Sequence, residues 1–233
     1  MRQSVNGNPL DVGSGYARRT LHSVECPIKT QLDLPTAGRL SNLEDCEVDF
    51  STIRGEVHFY ATQALCARRL VEAGVRFVEI TCPSFDGNNS PWDQHTHLKT
   101  NHEKNARVTE QSVAALIADL HQRGLLDETI VLWAGEMGRT PAVGAINDAT
   151  GRDHHVSGYT IFMAGGGFKG GMTYGETDEF GTNAILNPLT VHDLHATILH
   201  QLGLDHERLT FRYGGRDHRL TDVHGHVVKE ILS

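Results

Sequence analysis

An α/β domain with a largely parallel sheet is what this sequence predicts, and three observations carry that prediction. Short, β-rich apolar runs at 75–82, 129–134 and 159–164 are separated by helical periodicity or polar connections. The order strand, helix, strand, strand, helix is the one α/β folds show. Acids, imidazoles and an arginine gather beside the ends of the runs, where open α/β sheets place their ligands.

The first 50 residues are polar, punctuated by Pro and Gly, and weakly periodic, so loops and at most one short helix are expected there. A helix is expected over about 50–73, with Phe59, Leu65, Leu70 and Val71 at helical spacing and Gly74 as the residue just past its end. Arg68 and Arg69 fall in its last turns, where positive charge complements the helix dipole. The run 75–82 follows as a strand bounded by Pro83, and a polar loop carries Asp86, Asp93, His95, His97 and His102. A second helix over about 104–123 shows Val113, Leu116, Ile117 and Leu120 on one face, with Gly124 closing it. Strands are expected at 129–134 and 159–164, with Met172 to Tyr174 a candidate hairpin extension of the latter. Thr190 and Asp193 have the spacing of a capping box ahead of an apolar stripe, Val191, Leu194, Ile198 and Leu202. The charged tail from Leu204 reads as irregular, with a short helix near 223–232.

Composition narrows the function. With 233 residues the chain can bury a core, and 39% hydrophobic and 21% charged residues are those of an ordinary globular protein. The formal net charge of -8 argues against a nucleic-acid partner, which needs a basic face. No apolar run is long enough for a membrane span, and no basic-then-apolar signal peptide opens the sequence. The cysteines at 26, 46, 66 and 82 form no C-x-x-C pair and read as thiols without a function. Fifteen histidines point instead to metal binding.

Three motifs carry that chemistry. Asp93-Gln94-His95-Thr96-His97 puts a carboxylate and an imidazole two residues apart, so both reach one face of an extended backbone; solvated loop histidines are the plainer reading. Gly135-Glu136-Met137-Gly138-Arg139 follows a strand directly, and its arginine suits an oxyanion, unless Glu136 and Arg139 only pair as turn structure. Gly151-Arg152-Asp153-His154-His155 offers an acid and two imidazoles before a strand; the plainer reading is an ion pair between Arg152 and Asp153. The glycine-rich 164–171 lacks the phosphate-loop spacing and is read as a flexible hairpin loop with Lys169 exposed. His195, on the apolar face of the last helix, is expected to be a packed residue.

The stretches CARRLVEAGVRFVEI, WDQH, GLLDETIVLWAGEMGRTP, GRDHHVSGYTIFMAGGGFKGGMTYGETDE and VHDLHATILHQLGLDHERLTFRYGGRDHRLTDVHG together resemble an uncharacterised bacterial family with an alkaline-phosphatase-like core, often described as sulfatase-like. The resemblance implies a three-layer α/β/α sandwich over 51–233, incomplete at its N-terminus, behind an irregular segment 1–50. It implies Asp93, His95, Glu136 and His154 as ligands of a divalent ion (zinc, calcium or magnesium) and Arg139 as the catalytic group holding an anion. Members of that family are usually longer and carry an export signal and the nucleophile region, neither of which this chain shows. The expected function is metal-dependent hydrolysis of a small-molecule phosphate or sulfate ester. The alternative is a non-catalytic remnant or binding domain that keeps a metal or anion pocket.

Overall fold

The computed structural model describes residues 56–81, 92–143, 147 and 149–233. They fall into two compact units, one comprising 56–81, 92–93 and 101–122, the other 94–100, 123–143, 147 and 149–233. The expectations for 1–50, together with Asp86, Cys26, Cys46 and Cys82, lie outside the described residues.

In the first unit, α1 spans Glu56–Glu72 and α2 spans Leu98–Gln122, of which the residues from Asn101 onward belong here. The end of α1 is set by Gly74 at φ +88. The Gly74 N–H donates to the Val71 carbonyl and the Val75 N–H to that of Leu70, both at 2.9 Å. This paired termination needs a left-handed residue, which glycine supplies without a Cβ penalty. The buried positions of α2 include Val108, Ser112, Ala115 and Asp119, spaced four, three and four residues apart on one face. That face differs from the expected one: Leu120 is shared, but Val113, Leu116 and Ile117 are only half-buried. The reason is an ion pair, since Arg68 of α1, itself buried, places Nε 2.8 Å from Asp119 Oδ2 and also bonds Glu72 one turn on. Arg68 is therefore an internal cross-helix link rather than a dipole-complementing surface charge. Cys66 on α1 forms no disulfide.

The expected strand at 75–82 does not form over its described residues 75–81. No strand among the described residues pairs with it, and Phe77 is 63% exposed. A β-rich composition has no ladder of its own, so without a partner the segment stays irregular.

In the second unit, β1 (Val131–Trp133) pairs with β4 (Phe162–Ala164), and β2 (Gly138–Arg139) pairs with β3 (His154–His155). Both pairings are antiparallel. Partner numbers add to 295 in the first ladder (Val131 with Ala164) and to 293 in the second (Arg139 with His154). The two ladders are thus one long hairpin with an interruption, where 134–137 faces the longer stretch 156–161. The runs expected at 129–134 and 159–164 do become neighbours, but as the arms of a hairpin and not as parallel strands with a helical crossover. The architecture of the described residues is mixed helix and small two-stranded antiparallel sheets, α/β in the general sense. The parallel, three-layer sandwich is not what they form.

Beyond the long hairpin, β5 (Glu176–Thr177) pairs with β6 (Ala184–Leu186), α3 spans Val191–Gln201, and β7 (Thr210–Tyr213) pairs with β8 (Arg216–Arg219). The expected capping box is present: Asp193 N–H donates to Thr190 Oγ1 at 3.3 Å, and Thr190 N–H donates to Asp193 Oδ2 at 2.8 Å. The tail read as irregular holds the β7–β8 hairpin, whose two-residue turn, Gly214 and Gly215, has φ of +57 and +81. The glycine run 165–167 is equally structural. Gly166 N–H donates to the Leu126 carbonyl, Gln201 Nε2 donates to the Gly166 carbonyl, and Ser233 N–H to that of Gly167. Lys169 is exposed as expected, and its Nζ donates to the Glu230 carbonyl at 2.9 Å. No helix among the described residues is long and apolar enough to cross a membrane.

Candidate metal site

The site is built at the tip of the long hairpin, where a second segment joins it. Residues 94–98 run alongside 149–152: the Arg152 N–H donates to the Gln94 carbonyl at 3.2 Å, His97 N–H to Ala149 and Leu98 N–H to Thr150, each at 3.1 Å. Thr96 and Thr150 form an antiparallel bridge. On the other side, Thr140 N–H donates to the Asp153 carbonyl at 2.9 Å, and Asp153 N–H donates to Thr140 Oγ1 at 3.2 Å. The backbone leading into β3 is held on both edges, and Gln94, next to His95 in the chain, is buried.

Asp93, His95 and His154 are the result of this clamp. Each offers one ligand atom, and the three atoms lie within 4.8 Å of one another on exposed side chains. Asp93 is joined by its peptide bond to Gln94, the first residue of the second unit, so its reach is limited by the same clamp. The His95 and His154 rings lie 5.0 Å apart between centroids. His95 Nδ1 is 3.1 Å from Asp153 Oδ1. An ionised carboxylate oxygen only accepts, so in the neutral ring the proton sits on Nδ1 and the lone pair is left on Nε2.

The sequence-derived residues divide clearly. Asp93, His95 and His154, far apart in the chain, are brought together; Glu136 is not in the group. Glu136 falls on the interrupted stretch of the hairpin between β1 and β2, exposed, whereas His154 lies beyond the interruption in the second ladder. Arg139 is the register partner of His154, and direct partners project from the same face of a two-stranded ladder. Its Nη1 donates to the Arg152 carbonyl at 3.1 Å, bracing the segment that bears Asp153. His155, one residue on from His154, points the other way. Its Nε2 meets the Thr182 carbonyl at 2.5 Å, which ties β3 to the loop before β6. That loop is ordered by Asp178, which accepts N–H groups from Phe180, Thr182 and Asn183; the Thr182 bond leads in holding its carboxyl below the ordinary range, against a smaller opposing effect of burial.

Two residues bear on the site in ways the motifs did not give: Asp153, named there as the acid of the run before β3, faces His95, and Gly151, which had no role of its own there, marks a close backbone approach. A Cβ on Gly151 would overlap the His95 carbonyl carbon and oxygen and the Thr96 nitrogen. Its signal in the sequence was a glycine directly before the Arg-Asp-His-His run, a place where a close backbone approach calls for one.

The fold and the cluster define a mixed helix-and-sheet domain with an exposed His/Asp group that could hold a metal ion, without specifying which ion. The chain belongs to the family described as "Protein of unknown function (DUF1501)", which matches residues 13–232. This match replaces the sulfatase-like resemblance, for which no finding speaks. No curated protein and no solved structure matches the chain.

Proposed function

We propose that this domain holds a single divalent ion at Asp93, His95 and His154 and uses it to hydrolyse a phosphate or sulfate ester. The observation that supports this most is the convergence of one carboxylate and two imidazoles at an exposed point. The donor set fits a divalent ion, and three protein ligands leave positions open for water and substrate, as catalytic rather than structural metal sites do. Such an ion, when bound, supplies Lewis-acid polarisation of an ester oxygen and lowers the pKa of water to about 7.

The chain's own residues supply position. Asp93, His95 and His154 fix where the ion sits, and Asp153 orients His95. Arg139, across the ladder from His154, has a guanidinium suited to the charge of an ester oxyanion. A second reading, ion or anion binding without turnover, is favoured by two specific observations. Arg139 already donates to the Arg152 carbonyl, and Glu136 stands outside the group, so the cluster accommodates one ion.

The test is turnover of an aryl phosphate and an aryl sulfate by the metal-loaded chain and by an Asp93→Ala, His154→Ala double variant. Turnover above that of the ion alone, lost in the double variant, supports hydrolysis. Stoichiometric ion binding with no such turnover selects the binding reading.

A further inference from the structure

Resting on the reading of Asp93, His95 and His154 as a metal site, we infer that Asp153 is a positioning residue for His95, and that the pair makes the site selective for a first-row transition ion of the zinc type over calcium and magnesium. The contact that carries this is His95 Nδ1 to Asp153 Oδ1 at 3.1 Å, with the Asp153 side chain 86% exposed. A surface carboxylate in that position has no packing role to explain it, because it buries almost nothing. What it does is accept the Nδ1 proton, which fixes the ring orientation and the tautomer that puts the lone pair on Nε2.

Selectivity follows from the donors. Calcium takes six to eight oxygen ligands and magnesium an octahedral oxygen shell, whereas the group here offers two nitrogens and one carboxylate. Imidazole donors suit zinc, copper, nickel and iron, and two of them with one carboxylate leave too few oxygens to compete for a hard ion. The backbone supports the arrangement from both sides. Asp153 N–H is held by Thr140 Oγ1, and the preceding Arg152 N–H is held by the Gln94 carbonyl, one residue before His95. Asp153 and His95 are thereby presented to each other by a clamp of backbone N–H hydrogen bonds.

The experiment uses the full chain, freed of metal and titrated calorimetrically with zinc, manganese, calcium and magnesium. The parent, Asp153→Ala, Asp153→Asn and His154→Ala proteins are compared, with thermal melts recorded in the absence of ions. The expected result is one zinc site in the parent, with calcium and magnesium at least 100-fold weaker. Asp153→Ala weakens zinc about 10–100-fold, the usual cost of losing such an outer partner. Asp153→Asn recovers most of that affinity, since its amide oxygen still accepts the Nδ1 proton, and neither change moves the ion-free melt. Equal zinc affinity in Asp153→Ala and the parent overturns the positioning role, as does an Asp153→Asn protein as weak as Asp153→Ala. Calcium or magnesium binding as tightly as zinc overturns the selectivity. A parent that binds none of the four, or a His154→Ala protein that binds them unchanged, instead removes the underlying site.

Discussion

Gly151 lies where the backbone entering β3 crosses that of His95, so close that a Cβ would overlap main-chain atoms of His95 and Thr96. Backbone cannot swing aside as a flexible side chain can. Gly151→Ala is therefore expected to destabilise the protein by about 1–3 kcal/mol, the usual cost of overpacking, and to lower metal affinity because His95 shifts. Urea unfolding and a zinc titration of the variant check both effects; unchanged values in both would mean that the two segments part without consequence. At this scale much of the site was legible. The two-residue spacing of Asp93 and His95 and the acid–imidazole run at 153–155 contain the three residues that come together. Gly151 was not legible as a site residue, because its importance depends on a neighbour more than fifty positions away in the chain.

The helices were the readable elements, since a helix states its limits locally. Gly74 ends α1, and Thr190 with Asp193 opens α3, as their positions in the sequence predicted. Thr190→Ala is expected to cost about 1 kcal/mol, seen as a fall in the unfolding midpoint, because it removes the hydroxyl that caps the Asp193 N–H. The same helix sets an acid limit. Burial pulls the Asp193 carboxyl upward, but the Thr190 hydroxyl and N–H and the His226 N–H more than offset it, and the group ends below its ordinary value. That contribution is complete above about pH 4 and is lost as the pH falls through the depressed value. His195 acts in the same direction: burial, then the charge of His192, lowers its pKa from 6.5, so the unfolded chain takes up the proton first. Stability should therefore begin to fall as the pH drops below about 6.5, and His195→Gln should flatten the profile there; a slope unchanged in that variant would exclude the assignment. The pair Arg68–Asp119 was invisible in the sequence, because a buried ion pair between helices leaves no periodic mark. Asp119→Ala is expected to cost about 1–3 kcal/mol by leaving the buried guanidinium with Glu72 as its carboxylate partner and Nε without Asp119, and Arg68→Met with Asp119→Leu to recover most of it, as measured by denaturant unfolding.

For the whole chain, strand existence was easier to read than strand direction. An apolar run of six residues signals a strand, but not whether its partner is parallel, and here the partner comes back along the same hairpin. The interruption between its two ladders then decides the site: it leaves Glu136 behind and carries Arg139 and His154 to the tip. Of the four residues expected to converge from strand ends, Asp93, His95 and His154 do and Glu136 does not, and the pairing that brings His154 there is antiparallel. The proposed metal ion would sit at this tip, held by Asp93, His95 and His154. Crystals of the full chain grown with zinc, with anomalous diffraction recorded above and below the zinc absorption edge, test it most directly. One anomalous peak is expected, about 2.0–2.2 Å from a carboxylate oxygen of Asp93 and from one ring nitrogen each of His95 and His154. Absence of a peak there, or a peak whose ligands exclude His154, would mean that these three residues do not form a metal site.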